Sequence, residues 1–179
     1  MLTASSLIVQ SLWLGGGVKL PTGKYNPEDN RNIAKSSNLF QLGTGSVDLN
    51  LSAMYDLRIQ DMGVNLAANY RITTANRYDY KYGNKINLNA QLYYKFRPSM
   101  QVSIAPNAGI QYEHASLDKD KGFDVTVSGG NLTMGTFGLE GGIRKFVFGA
   151  NYQIPFGQDL ASGIVKANDR LMVHVGFTF

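Results

Sequence analysis

Few side chains in this sequence are of the types that carry out catalysis. The 179 residues include no cysteine, which excludes a cysteine nucleophile, a thiolate metal site and a disulfide scaffold, and they include two histidines. His114 stands two residues before Ser116, so on a strand both side chains would face the same side. Nucleophilic catalysis requires a hydroxyl within reach of an imidazole that a third group orients. This pair is therefore the best candidate for a catalytic site.

Three features count against an active site. We expect the strand that carries His114 to end near Glu113, and residues Leu117 to Gly122 have the composition of an ordinary loop. His174, the other histidine, is expected on the polar face of the last strand, with no carboxylate identifiable nearby. Both histidines thus indicate hydrogen-bonded structural side chains, and the sequence predicts that the protein is not an enzyme.

A metal site is not predicted either. Asp118, Asp120 and Asp124 have loosely calcium-like spacing, but no glutamate stands at the closing position and lysines alternate with the carboxylates. We interpret this segment as a solvated loop and expect no cofactor. The formal net charge is +4 and the Lys and Arg residues are scattered, so no nucleic-acid partner is expected.

The elements that position these side chains are predicted from a repeated alternation. In residues 85–96 apolar side chains occupy every second position, with Lys, Asn, Gln and Tyr between them. Residues 47–59 and 63–74 alternate in the same way, which is the period of a β-strand with one apolar and one polar face. Pro106 predicts a bulge or a local break in its strand. Residues 170–179 alternate too, residues 11–21 open the series, and weaker copies of the pattern are residues 101–114, 136–146 and 146–156, which gives about eight strands.

Strand length favours a membrane-spanning barrel over a soluble β-sandwich. Strands of soluble sheets usually have roughly 5–6 residues, whereas these have about 10–13, as a tilted membrane-spanning strand needs. A transmembrane helix is excluded, because no run of about 18 apolar residues occurs. Aromatic residues stand near the strand ends, as in the aromatic girdles of such barrels. They are Tyr55, Tyr70, Tyr94, Phe96, Tyr112, Phe146, Tyr152 and Phe179.

The connections between the strands alternate in length. Short connections are expected at 60–63, 97–100 and 144–146, and longer ones at 21–46, 77–85, 115–131 and 156–168. This alternation is typical of outer-membrane barrels, which have short periplasmic turns and long extracellular loops. The sequence therefore predicts one all-β domain, residues 1–179, folded as an antiparallel transmembrane β-barrel of about eight strands or as part of a larger barrel. The extracellular-type loop 21–46 either folds into the barrel mouth as a constriction or is a mobile loop.

The last residues indicate the same location. Outer-membrane barrels are similar to one another in ending on an aromatic residue, usually Phe, that follows alternating apolar residues, and the barrel assembly machinery reads this ending. The matching residues are Leu171, Val173, Val175, Phe177 and Phe179. We therefore expect the outer membrane of a Gram-negative bacterium, with membrane lipid, lipopolysaccharide and the assembly machinery as partners.

The polar strand faces predict a network of charges that points into the lumen. Its members are Asp48, Asp56, Arg58, Arg71, Lys85, Lys95, Glu113, Glu140, Arg144 and Arg170. Their mixed signs can satisfy one another, which a closed interior requires because unpaired buried charges are costly. In a barrel of about eight strands the network would fill the interior. With further strands, the same residues would line a narrow channel.

Four fragments carry a resemblance to a known family, and they are residues 12–26 (LWLGGGVKLPTGKYN), 39–58, 70–87 and 106–115. The sequence is similar to the outer-membrane proteins described as transporters of the phenol-degradation meta-pathway type, in the version found in Bacteroidota. The resemblance covers nearly the whole chain and implies the family's C-terminal part. Members have a signal peptide and several more strands before the GGGVKLPTG segment, so Met1 is not expected to be the biological start. The family name carries little information about a solute.

These observations leave three functions open. The first is a transporter-like, porin-like channel that passes small molecules passively. The second is a closed structural or accessory barrel that acts as a subunit of an outer-membrane complex. The third is a lipid hydrolase at the barrel rim, since eight-stranded lipid A deacylases have a similar His-x-Ser pair. In those enzymes an Asn follows the Ser, whereas Leu117 follows here.

Overall fold

The protein is an antiparallel β-sheet that curls into a half-barrel. The computed structural model describes residues 8–25 and 42–177. Within these residues there are eight long strands and four short ones. In chain order they are β1 (Ile8–Lys19), β2 (Asp48–Ile59), β3 (Met62–Thr73), β4 (Tyr80–Lys81), β5 (Lys85–Tyr94), β6 (Phe96–Ser99), β7 (Val102–Ala115), β8 (Asp118–Asp120), β9 (Phe123–Val125), β10 (Gly130–Ile143), β11 (Phe146–Leu160) and β12 (Arg170–Phe177).

The long strands pair in the order in which they occur in the chain. The order across the sheet is β1-β2-β3-β5-β7-β10-β11-β12, and every pair is antiparallel. The predicted all-β architecture of about eight antiparallel strands is therefore confirmed. Within the described residues β1 pairs only with β2 and β12 only with β11, so the sheet has two edges and does not close into a ring.

The two faces of the sheet differ in polarity. On the outer face large apolar side chains are exposed, for example Leu14 (76%), Leu51 (53%) and Leu92 (60%). On the other face polar side chains from strands that are not adjacent touch one another, as Arg170 of β12 and Glu113 of β7 do. Such contacts require a concave surface, so the polar face is the inner wall of the half-barrel.

The connections at the two ends of the sheet differ as the sequence predicts. At one end β2, β6 and β10 lead directly into β3, β7 and β11 through turns of two residues. Gln60 and Arg144 take the left-handed backbone conformation in two of these turns (φ 56° and 53°). At the other end lie the described parts of the longer connections, which are 20–25 with 42–47, 74–84, 116–129 and 161–169. We call these ends the turn end and the loop end.

Two of the predicted loops, 77–85 and 115–131, contain short strands. The 115–131 segment contains the hairpin of β8 and β9, and β8 also pairs with β4. This three-stranded sheet, with the residues around it (74–84 and 116–129), forms a cap at the loop end. The strand that carries His114 runs to Ala115 rather than ending near Glu113, because β7 pairs with β10 up to that residue. Likewise, β11 continues to Leu160, which lies within the predicted loop 156–168.

Pro106 and Pro155 coincide with irregularities in the sheet. Opposite Pro106 the ladder on one side of β7 is interrupted, since β5 ends at Tyr94 and β6 begins at Phe96. The predicted break at Pro106 is thus confirmed on that side, while the ladder between β7 and β10 continues through it. The register shift between Thr133 and Met134 on β10 faces Pro155 on β11, and no feature of the sequence predicted it.

Some sequence predictions fall outside the described residues. Phe179 and positions 26–41 of the predicted loop 21–46 are among them. The other apolar residues of the predicted assembly signal are on β12, and they are Leu171, Val173, Val175 and Phe177. Among residues 8–25 and 42–177 no helix has the length and apolar character needed to cross a membrane.

Candidate functional site

The structure brings most of the predicted charge network to the inner wall. Strand register places eight members on this face, and they are Asp48, Asp56, Arg58, Arg71, Lys85, Glu113, Glu140 and Arg170. Lys95 lies between β5 and β6, where its backbone N–H donates to the carbonyl oxygen of Asp61 (2.7 Å). Arg144 lies in the turn between β10 and β11, and its Nε donates to Oε1 of Gln101 (3.0 Å).

One polar chain crosses four strands of the inner wall. Arg170 Nη1 donates to Oε1 of Glu113 (2.7 Å), which also accepts a hydrogen bond from Nε2 of Gln111 (2.7 Å). Gln111 Oε1 in turn accepts from Nε2 of Gln153 (2.7 Å), and Gln153 also lies 3.4 Å from the hydroxyl of Thr136. The chain links β12, β7, β11 and β10. It therefore ties together the half of the sheet that is furthest from β1.

A second contact spans β2 and β5. The hydroxyl of Tyr93 donates to the carboxylate of Asp56, with oxygen distances of 3.1 and 3.2 Å. The intervening strand β3 has Gly63 at this position, directly opposite Tyr93. A Cβ atom at Gly63 would lie 2.2 Å from Cζ of the Tyr93 ring. Glycine leaves room for the aromatic ring on the β3 backbone, and an added side chain would displace the ring from Asp56.

The same arrangement recurs near the other edge. Nε2 of His174 lies 3.7 Å from Oε2 of Glu140, two strands away. No carboxylate near His174 is identifiable from the sequence, and the strand register brings Glu140 to it. The imidazole reaches Glu140 across Gly149, where a Cβ atom would lie 2.2 Å from Cε1 of the ring. Both partners are about half exposed on the inner wall.

A compact polar cluster lies where β1 and β2 meet the loop end. Asp48 is 1% exposed, and its carboxylate accepts hydrogen bonds from Nζ of Lys19 (3.0 Å) and from the hydroxyl of Ser46 (2.9 Å). Lys19 also donates to the hydroxyl of Thr44. A nearly buried carboxylate needs such partners, because an unpaired charge in this position would be costly. The cluster fixes the residues that enter β2 onto the end of β1.

The residues considered for catalysis have other partners. Nδ1 of His114 lies 2.7 Å from Oδ1 of Asn131, which also accepts a hydrogen bond from the hydroxyl of Tyr112 (2.9 Å). Ser116 lies beyond the end of β7, where its backbone N–H donates to the carbonyl oxygen of Asn84 (2.9 Å). These contacts hold the rim of the sheet, and they do not join His114 to Ser116.

The predicted loop with calcium-like spacing has a structural role in the cap. Asp118 accepts hydrogen bonds from the hydroxyl of Tyr80 (2.6 Å) and from the backbone N–H of Gly83 (2.7 Å). Asp124 lies 3.6 Å from Nζ of Lys119 across the β8–β9 hairpin. In the part of the chain that the structure describes, no three His, Asp or Glu side chains are grouped as a metal site would need.

Four tyrosines pack together at the base of the cap. The ring of Tyr25 lies 5.6 Å from that of Tyr78 and 6.3 Å from that of Tyr80, and Tyr80 lies 5.1 Å from Tyr82. Burial raises the pKa of the phenols of Tyr25 and Tyr82, because the phenolate would lose its hydration. This cluster joins the residues that follow β1 to the cap.

Sequence reasoning missed several partners in these contacts, namely Lys19, Tyr93, Gln111 and Gln153. All four stand on the polar side of the alternation, so the pattern places them on the inner wall but does not pair them. Comparison of the chain with protein families, curated proteins and solved structures finds no match.

Proposed function

We propose that this chain forms part of the wall of an outer-membrane β-barrel, a transporter-like channel through which small molecules pass passively. The observation that carries the proposal is the polarity of the two faces. The outer face exposes apolar side chains on all eight long strands, and the inner wall carries the ion pairs Lys19–Asp48 and Arg170–Glu113. In lipid, the outer side chains are removed from water, which stabilises them by about 25 cal/mol per Å² of apolar surface.

The free edges support the same proposal. In the hydrocarbon region of a membrane every backbone N–H and C=O needs a hydrogen-bond partner within the protein, so a spanning sheet must close. The outward-facing backbone groups of β1 and β12 have no partner strand among the described residues. We therefore propose that further strands complete the barrel. Because eight strands form only a half-barrel here, the completed ring is wide enough for a polar lumen.

A specific observation favours the alternative function, a closed accessory barrel in an outer-membrane complex. On the inner wall of β10 and β11 four side chains are almost fully buried, and they are Leu132, Met134, Thr136 and Gln153. This part of the wall is packed rather than open to water. The resemblance to the phenol-degradation meta-pathway group supports the transporter function, and this function remains our main proposal. The resemblance does not assign a solute.

Conductance of the full-length protein in planar bilayers tests the channel. We expect stepwise increases in current when the protein inserts, and a heat-denatured sample is the control. Insertion without any conductance would reject the channel and leave the closed accessory barrel.

Cysteine labelling in intact cells tests the location, because the chain has no cysteine of its own. Phe123→Cys places a thiol in the cap, where Phe123 is 80% exposed, and Met100→Cys places one in an exposed turn at the opposite end. A membrane-impermeant maleimide is expected to label the cap thiol in intact cells and the turn thiol only after lysis. Equal labelling of both before lysis would contradict the proposed orientation.

A further inference from the structure

Two cations face each other on the inner wall near the loop end. Arg71 on β3 and Lys85 on β5 are directly opposite in the strand register, and both are exposed. Side chains in this relation have Cβ atoms about 4.5–5.5 Å apart, and like charges there destabilise the sheet. Arg71 and Lys85 therefore repel each other in the protein as described.

Nearby carboxylates do not neutralise the pair. In the part of the chain that the structure describes, neither Arg71 nor Lys85 makes a salt bridge. Asp48, one register position nearer the loop end on this face, is bound by Lys19. Glu113, one position nearer the turn end, is bound by Arg170 at 2.7 Å. The neighbouring acids already have cations of their own.

The surrounding side chains add oriented hydrogen-bond donors. Nε of Arg71 donates to Oδ1 of Asn50 (2.9 Å), which fixes the guanidinium and leaves its two terminal nitrogens available. Asn69 and Asn87 are opposite each other at the next position of the same face. A guanidinium fork, an ammonium group and side-chain amides together form a donor set that suits the oxygens of a carboxylate or phosphate.

We infer that Arg71 and Lys85, with Asn69 and Asn87, form a binding station on the inner wall for a small anion that carries a carboxylate or phosphate group. The guanidinium of Arg71 binds two oxygens of the anion, and Lys85 supplies the second positive charge. Binding also removes the repulsion between the two cations. The inference rests on the proposed function, since the inner wall must face a water-filled lumen, and it names the class of solute.

Phosphate binding to the full-length protein in detergent micelles tests the station. Inorganic phosphate is the probe, acetate is the carboxylate probe, and calorimetry gives the dissociation constants. Arg71→Gln and Lys85→Gln are each expected to weaken binding about tenfold, the effect of losing one charge-assisted hydrogen bond. Lys85→Arg keeps the charge and is expected to retain binding. Because both side chains are exposed, these variants are expected to fold.

Arg97→Gln is the matched control. It makes the same change of charge at the turn end, where Arg97 lies 3.6 Å from Asp61, and it is expected to leave phosphate binding unchanged. Equal weakening of phosphate binding by Arg97→Gln would mean that the effect comes from the overall charge of the protein. That result would overturn the proposed binding station. Unchanged binding in the Arg71→Gln, Lys85→Gln double variant, or binding of neither phosphate nor acetate by the parent protein, would also overturn it.

Bilayer measurements separate this inference from the channel proposal. If the parent conducts, the reversal potential in a salt gradient is measured for the parent and for the double variant. The value for the double variant is expected to be shifted towards cation preference. Conductance without binding of phosphate or acetate would reject the station and keep the channel. Phosphate binding that the two substitutions remove, in a protein that never conducts, would reject the channel and keep the station.

Discussion

Arg170 Nη1 lies 2.7 Å from Oε1 of Glu113, although two strands, β10 and β11, separate the strands that carry them. Adjacent strands are about 4.8 Å apart, so on a flat sheet three such steps would separate the two backbones by about 14 Å. Two long side chains close this gap because the sheet is concave on this side. The ion pair is therefore a direct consequence of the curvature of the half-barrel.

A double-mutant cycle measures the energy of this pair. Glu113→Gln and Arg170→Gln are each expected to lower the free energy of unfolding, with a coupling of about 1 kcal/mol between them. The value is modest because both side chains are partly exposed, at 31% and 41%. Urea unfolding in micelles provides the measurement. A coupling close to zero would mean that the two groups do not interact in the folded protein.

Gly63→Ala is expected to destabilise the protein by about 1–3 kcal/mol, because the added methyl group displaces Tyr93 and breaks its hydrogen bonds to Asp56. Gly17→Ala is the control on the same inner face, since nothing lies within 4 Å of a Cβ at that position. The two variants are compared by chemical unfolding. If Gly63→Ala costs no more than Gly17→Ala, Tyr93 does not lie on Gly63 in solution.

Neighbouring substitutions on β3 test which face contacts lipid. On the proposed lipid face, Leu66→Arg is expected to lower stability in bilayers by about 2–4 kcal/mol, the cost of a cation near the membrane midplane. Asn65→Arg, on the inner wall beside Asp56, is expected to cost under about 1 kcal/mol. Folding into vesicles, followed by urea titration, gives both values. An increase in aqueous solubility with unimpaired folding for Leu66→Arg would instead indicate a water-exposed face.

Lys85→Glu is expected to stabilise the protein by about 0.2–1 kcal/mol, because it replaces a like-charged cross-strand pair with an attractive one. Phosphate binding is expected to fall at the same time, since the new carboxylate occupies Arg71. Thermal unfolding and calorimetry on one preparation report both quantities. Loss of stability would show that Lys85 has an attractive partner in the parent protein.

The cap is expected to lose stability in alkali. The folded state raises the pKa of Tyr82 above its ordinary value of about 10, so from that pH upwards the unfolded chain ionises first and the folded state is disfavoured. Below that pH the contribution of Tyr82 to the free energy of unfolding is fully present. Tyr82→Phe is therefore expected to lose less thermal stability between about pH 9 and pH 11 than the parent. Tyr78→Phe, at the exposed edge of the same cluster, is the control. Equal losses of thermal stability in all three proteins would contradict a raised pKa of Tyr82 in the folded state.

The sequence by itself determined the strands and their faces. A period of two assigns each side chain to one side of the sheet, and this assignment depends only on local backbone geometry. The alternation of short and long connections likewise predicted short turns at one end of the strands and long loops at the other. Asp56, Arg71, Lys85 and Glu113 were placed on the polar face for this reason alone.

Only the tertiary structure decided which of these residues meet. Register and curvature bring Tyr93 over Gly63 to Asp56, and His174 over Gly149 to Glu140, and neither contact follows from the spacing of the residues along the chain. The cap was also missed, because β4, β8 and β9 are two or three residues long and gain their stability from one another. Local periodicity cannot reveal such contacts, since they depend on how many strands separate two residues and how strongly the sheet bends between them.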